Sequence, residues 1–87
     1  MVTVRLPAGL DPFTGATREL EVDGADVAEV VAGLERALPG VAGHLVDGGG
    51  RLRAHLLCLV DGTATRDLAT PVGDEVAFLT AVSGGAA

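Results

Sequence analysis

Val2-Thr3-Val4-Arg5-Leu6 alternates apolar and polar residues, the period of a half-buried strand, and Pro7 ends it. Residues 8–16 (AGLDPFTGA) are rich in turn formers. Alternation resumes over 17–22 (TRELEV), predicting a second strand in a hairpin with the first, and Asp23-Gly24 closes it. The period then changes. Val27, Val30, Val31, Leu34 and Leu38 fall on one continuous stripe, so the spacing predicts a helix over 26–38. Asp26 with Glu29 gives it a capping-box-like start, and Pro39-Gly40 ends it. Gly33 inside that helix costs roughly 1 kcal/mol against alanine, which points to a close approach to a sheet. Residues 41–46 allow one more turn, and Asp47-Gly48-Gly49-Gly50 reads as a flexible loop.

Residues 52–60 (LRAHLLCLV) read as a strand whose second half is apolar on both parities. Asp61-Gly62 is a favoured two-residue turn. Residues 63–70 follow as a short irregular or edge strand, Pro71-Val72-Gly73-Asp74 as a turn, and 75–82 (EVAFLTAV) as the last strand. Neither a repeat nor a domain boundary interrupts the order β-β-α-β-(β)-β. An opening hairpin, one helix and a final strand returning near the first describe an α+β chain of the β-grasp (ubiquitin-like) type. Its sheet is mixed, with one main helix on one face. Residues 1–82 form the domain, and 83–87 are a flexible tail carrying Gly-Gly.

A single helix covers only one sheet face, so strand parity has consequences. Val76 and Phe78 are the bulkier set of the last strand and are assigned to the covered face with Leu56, Cys58 and Val60. Leu57, Leu59 and Leu79 then lie on the uncovered face as a partner-docking patch. The alternatives are that the 39–50 segment folds over that patch, or that the parity is inverted.

Composition narrows the chemistry. Hydrophobic residues make up 48% of the 87 residues, enough for one modest core of Val, Leu and Ala. The formal charge is −6 and all six basic residues are arginine, a balance that argues against nucleic acid. It suits solubility or a basic partner surface. The lysine-free composition leaves no ε-amine to acylate; an arginine-preferring genome is the competing explanation. Apolar runs are too short to span a bilayer, and MVTVRLP lacks a signal pattern, so no membrane is expected. One cysteine excludes an internal disulfide and fits a reducing cytoplasm.

Most other candidates for chemistry are weak. Cys58, mid-strand on the apolar parity, reads as a core residue rather than a nucleophile. His44 and His55 lack ligand spacing with Cys58 or each other, so no metal site is expected. Gly48-Gly49-Gly50 has no following Lys-Ser/Thr and is no phosphate loop. No carboxylate pair suggests acid–base catalysis. Arg51 and Arg53 flank the strand start, as a solvated edge or as contacts to an acidic partner surface.

The chain stops in AVSGGAA. Terminal glycines cost backbone entropy on ordering and add little to a fold. They do suit threading through another protein's narrow slot. GRLRAHLLCLVDG (50–62) followed by GDEVAFLTAVSGG (73–85) resembles the ubiquitin-like sulfur-carrier family of the MoaD/ThiS type. That family includes the molybdopterin-synthase small subunit, the thiamine-pathway carrier and the actinobacterial cysteine-synthesis (CysO-like) carrier. VTVRLPAGLDPFTG (2–15) is most similar to the last.

The resemblance implies a carrier rather than an enzyme. An E1-like adenylyltransferase would convert the Gly85 carboxylate with ATP (and Mg) into an acyl-adenylate; no cofactor would be bound by the carrier itself. A sulfurtransferase or sulfide would then leave a Gly85 thiocarboxylate for an acceptor synthase making cysteine, molybdopterin, thiamine or a sulfur-containing secondary metabolite. Ser83 and Gly84 would thread the slot. Ala86 and Ala87 depart from the family's end and lock the Gly85 carboxyl in a peptide bond. The expectation is a precursor trimmed after Gly85 by a JAMM-type zinc metalloprotease; a cloning scar and a homologue without carrier activity are the alternatives. Two other functions stay open: a protein modifier joined through Gly85 to target lysines, and a non-covalent ubiquitin-like interaction module.

Overall fold

The computed structural model describes residues 1–80. Five strands form one sheet: β1 (Val2–Arg5), β2 (Glu19–Val22), β3 (Leu56–Val60), β4 (Thr63–Thr65) and β5 (Glu75–Thr80). Their order is β2-β1-β5-β3-β4. β1 and β5 run parallel at the centre, with Val4 opposite Val76, and the other pairings are antiparallel. The mixed sheet and the return of the last strand to the first are those of the expected β-grasp.

The main helix, α2 (Val27–Ala37), follows a short α1 (Asp11–Thr14) and precedes a short α3 (Ala42–Leu45). Its stripe of Val27, Val30, Val31 and Leu34 is buried against Val4, Leu56, Cys58, Val76 and Phe78. Each such side chain contributes about 1.5–3 kcal/mol on burial, well above what Gly33 costs the helix. The glycine has a role of its own. A Cβ there would stand 3.2 Å from Val22 Cβ and 3.4 Å from the Asp23 carbonyl, so its absence lets α2 lie on β2. Asp26 caps the helix by accepting from Glu29 N at 2.8 Å, while Glu29 Oε1 accepts from Ala25 N, one residue before the cap.

Three departures from the sequence reading have physical causes. The turn-rich stretch 8–16 is helical in part: a 3-10 turn at Ala8–Leu10 leads into α1, with Pro12 in the first turn and Gly15 left-handed at its end. The strand expected from Leu52 begins only at Leu56, and His55 lies in a turn before it. There the Arg66 guanidinium donates to the carbonyls of Leu52, Arg53 and Leu56, acceptors a longer strand would have offered to a neighbour. The 39–50 segment does not fold over the outer face. Val41 and Leu45 are buried in the helix-side core instead, and Glu35 holds the α2–α3 corner by accepting from Gly40 N and Ala42 N.

Asp61-Gly62 joins β3 to β4 as expected, both residues at positive φ (48° and 87°). The Asp61 carboxylate also accepts from Gly73 N, Asp74 N and Glu75 N at 2.9–3.0 Å, fixing where β5 begins. Those N–H groups hold it below its ordinary 3.8. Among the described residues, no helix is long and apolar enough to cross a membrane.

Two outcomes follow for stability. At Gly24 a Cβ would lie 2.8 Å from Val30 N, so Gly24→Ala must displace the first turn of α2. It is expected to lower unfolding free energy by about 1–3 kcal/mol in urea titration. The stabilising contribution of ionised Asp61 is present above the unfolded carboxylate value and is lost as pH falls through the depressed folded value. Asp61→Asn should therefore lower Tm at neutral pH and lose less than the parent on acidification below about pH 4.

Candidate functional site

The candidate site is the end of β5 and the sheet face beside it. Leu57 stands opposite Leu79, and Leu56 opposite Thr80. The neighbouring row reads Glu19, Arg5, Ala77, Leu59 and Ala64 across all five strands. Because side chains alternate along a strand, Leu57, Leu59, Ala77 and Leu79 share the face turned away from α2. The opposite parity is in the core: Leu56, Cys58, Val60, Val76 and Phe78 are buried. Leu79 is 41% exposed, and Leu57 and Leu59 are half-buried. The expected parity is therefore the one observed.

Polar groups border this apolar patch on the β1 side. Arg5 donates from Nε to Glu75 Oε2 at 2.7 Å, and its Nη1 lies 3.6 Å from Glu19 Oε1. The arginine thus bridges Glu75 of β5 and Glu19 of β2. Exposed pairs of this kind add little stability. They do set the charge pattern at the border of the patch.

A second feature flanks the end of β5. A Cβ at Gly9 would meet Thr80 Oγ1 at 3.6 Å, so the segment leading into α1 packs beside the last described residue. Phe13 in α1 is 49% exposed, and its ring stacks on His44 of α3 with centroids 3.7 Å apart. The sequence reading placed His44 only as a non-ligand and did not pair it with Phe13. The available signal was compositional: of two phenylalanines, Phe78 fits the core parity and Phe13 does not.

The remaining candidates fall as follows. Cys58 is buried, and desolvation pushes its thiol up to about 11, leaving it a core residue with little thiolate. Arg51 is exposed; Arg53 is half-buried and donates from Nε to the Gly43 carbonyl at 2.8 Å. Among the described residues no group of three His, Cys, Asp or Glu side chains gathers as metal ligands. Ser83, Gly84, Gly85, Ala86 and Ala87 lie outside the described residues, as do Ala81 and Val82 of the expected last strand.

A mixed five-stranded sheet with a central parallel pair, one main helix across its inner face and a chain end leaving the middle strand define a ubiquitin-like β-grasp protein. The ThiS family model matches residues 4–85, and the chain belongs to the ThiS family. CysO in the Amycolatopsis orientalis BexX/CysO complex is similar at TM-score 0.86 and 29% identity, over 98% of this chain and all of that one. Mycobacterium tuberculosis CysO, an antigen, is similar at 0.85 and 29%, over 94% of this chain and all of its own. SAMP1 from Haloferax volcanii is similar at 0.74 and 31%, over 97% of this chain and 98% of its own. A search of curated proteins gives no match. The fold is that of the ubiquitin-like sulfur carriers.

Since Leu79 faces water in the free protein, its truncation removes little buried surface. Leu79→Ser is expected to change Tm by no more than its exposed location allows, about 0.5 kcal/mol in unfolding free energy. Phe78→Ala next to it should cost about 3–5 kcal/mol. Thermal melts of the two variants measure the difference between the faces.

Proposed function

We propose that the chain is a sulfur-carrier protein, a cosubstrate acted on by other enzymes. The observation that supports this most is the family match, which extends through Gly84 and Gly85 rather than stopping at the folded body. The two CysO structures add support at the level of the whole chain.

An α-carboxylate, with an ordinary pKa of about 3.5, is an anion at neutral pH and resists nucleophiles. In this reading an E1-like adenylyltransferase uses ATP and Mg to make the Gly85 acyl-adenylate, and a sulfur nucleophile expels AMP. The product is a thiocarboxylate that an acceptor synthase consumes. The body is residues 1–82 and the arm is 83–87. Ser83 and Gly84 carry the carbonyl away from the sheet and let partner backbone approach closely. Removal of Ala86-Ala87 by a JAMM-type zinc metalloprotease precedes activation. The reducing cytoplasm suits both the single thiol and the thiocarboxylate.

Leu57, Leu59 and Leu79 form the docking patch. They adjoin the root of the arm, so a partner resting on them receives the tail at its slot. The Amycolatopsis CysO was solved in a complex with BexX, which supports a protein partner for this chain too. The likeness to SAMP1, named a small archaeal modifier protein, favours a second reading in which Gly85 is joined to lysines of target proteins. Both readings pass through the same adenylate and differ in the nucleophile.

Pyrophosphate exchange with an adenylating enzyme tests the shared step. A chain ending at Gly85 is expected to support exchange, and Leu57→Asp in that chain to weaken it by raising KM. The full-length chain should be inert until trimmed. Exchange by the full-length chain, or none by the trimmed one with any adenylating partner, contradicts the reading.

A further inference from the structure

Each edge strand of a sheet carries backbone groups that pair with nothing inside the sheet. Here the edges are β4, three residues long, and β2. The register shows which groups of β2 are free. Leu6 N donates to the Arg18 carbonyl, so these two residues form a hydrogen-bonded pair next to Arg5 and Glu19. Such pairs alternate with non-hydrogen-bonded ones along an antiparallel ladder. Val4–Leu20 and Val2–Val22 are therefore bonded pairs, whereas Arg5–Glu19 and Thr3–Glu21 are not. Thr3 accordingly turns its N–H the other way and donates to the Asp74 carbonyl, on the β5 side, at 2.9 Å. Glu19 and Glu21 in turn direct N–H and C=O away from the sheet, at an edge to which no other described strand is paired.

The side chains at this edge divide by face. Leu20, opposite the buried Val4, is on the helix side and only half-buried. Glu19 and Glu21 are exposed on the other side, and Asp23, also exposed, follows two residues on. Glu19 is shared with Arg5 at 3.6 Å, while Glu21 has no ion pair among the described residues. These charges choose the occupant. A second copy of this chain laid along β2 would set carboxylates opposite carboxylates, which is destabilising, and each chain carries a formal charge of −6. A basic strand gains where a copy loses.

We propose that β2 is a docking edge for an extended segment of a partner protein, which pairs antiparallel with it through a basic-apolar-basic triplet. The two basic residues stand opposite Glu19 and Glu21, exchange N–H···O bonds with their free backbone groups, and meet their carboxylates. The residue between them stands opposite Leu20 in the closer, non-hydrogen-bonded position and covers the part of Leu20 that the fold leaves exposed. Main-chain bonds supply the attraction and the alternate side chains select the sequence. β1 separates this edge from β5 and β3, the strands of Leu79, Leu57 and Leu59, so a partner held here leaves that patch open. The proposal goes beyond the carrier reading and does not depend on Gly85.

The probe is a synthetic peptide, acetyl-Thr-Lys-Val-Lys-Thr-amide, titrated to millimolar concentration into the isotope-labelled full chain and followed by NMR amide shifts. The amides of Glu19 and Glu21 should shift saturably. Methylating the backbone nitrogens of both peptide lysines removes the donors aimed at β2 and should abolish saturation. Methylating the valine nitrogen, which points away from β2, should leave it. Glu21→Lys, a change at an exposed side chain, should weaken binding about fivefold. In the free chain, the Glu19 and Glu21 amides should exchange with solvent faster than those of Leu20 and Val22. Absence of a saturable shift at Glu19 and Glu21 overturns the proposal, as does the opposite order of exchange. Equal binding by the two methylated peptides overturns it too, because that is charge attraction without a strand. Loss on methylating valine alone does the same, since it places the peptide in a parallel register. No adenylating enzyme enters the measurement, so its failure and a failure of pyrophosphate exchange are distinguishable.

Discussion

The parallel pairing of β1 with β5 is the constraint on which the rest of the architecture depends. Val4 and Val76 face each other across it, both fully buried against α2. A parallel pair cannot be closed by a tight turn, so every other element lies in the long connection between these two strands. The pairing also decides where the chain leaves the fold. β5 enters the middle of the sheet and exits at the end of β1 where the connection to β2 begins, with β3 on its other side. Val76, Ala77 and Phe78 of β5 are buried, and the strand becomes exposed over its last two described residues, Leu79 and Thr80.

Charged side chains secure this arrangement at its edges. Asp61 gathers the N–H groups that open β5, Glu35 closes the corner after α2, and Arg66 collects the carbonyls that precede β3. Each meets backbone groups that no strand or helix partner takes. Hydrogen bonds to a charged group contribute more than neutral ones, and here they fix the start of β5, the start of β3 and the corner after α2. The outer face shows the other side of the same design. Leucines remain half-exposed there without helix cover, while Arg5 between Glu19 and Glu75 bounds them. The sheet is thus buried on its helix side and leaves an apolar patch on the other.

Much of this was legible in the residues, for reasons that can be stated. The stripe Val27, Val30, Val31 and Leu34 has one period only, and the bulk of Val76 and Phe78 against Ala77 and Leu79 fixed the parity of β5. Gly33 marked a close approach because nothing else explains a glycine there. What could not be read was long-range in origin. Arg66 is far in sequence from Leu52, yet it supplies the donors that stop β3 from starting early. Val41 and Leu45 entered the helix-side core because α2 ends where the sheet still has an uncovered edge, a fact of packing rather than pattern. The apolar patch of Leu57, Leu59 and Leu79 emerged from parity; the Phe13–His44 stack, formed between the short helices α1 and α3, did not. The family resemblance, by contrast, lay in the terminal motif and its register with the last strand.

The central claim of the proposed function is that Gly85, once exposed as a carboxylate, is the group that other enzymes activate. Intact-mass measurement of the chain ending at Gly85, after incubation with an adenylating enzyme, ATP and a sulfide source, examines it most directly. The account predicts replacement of one oxygen by one sulfur, abolished by Gly85→Ala. An unchanged mass alongside a control carrier that is converted would contradict it.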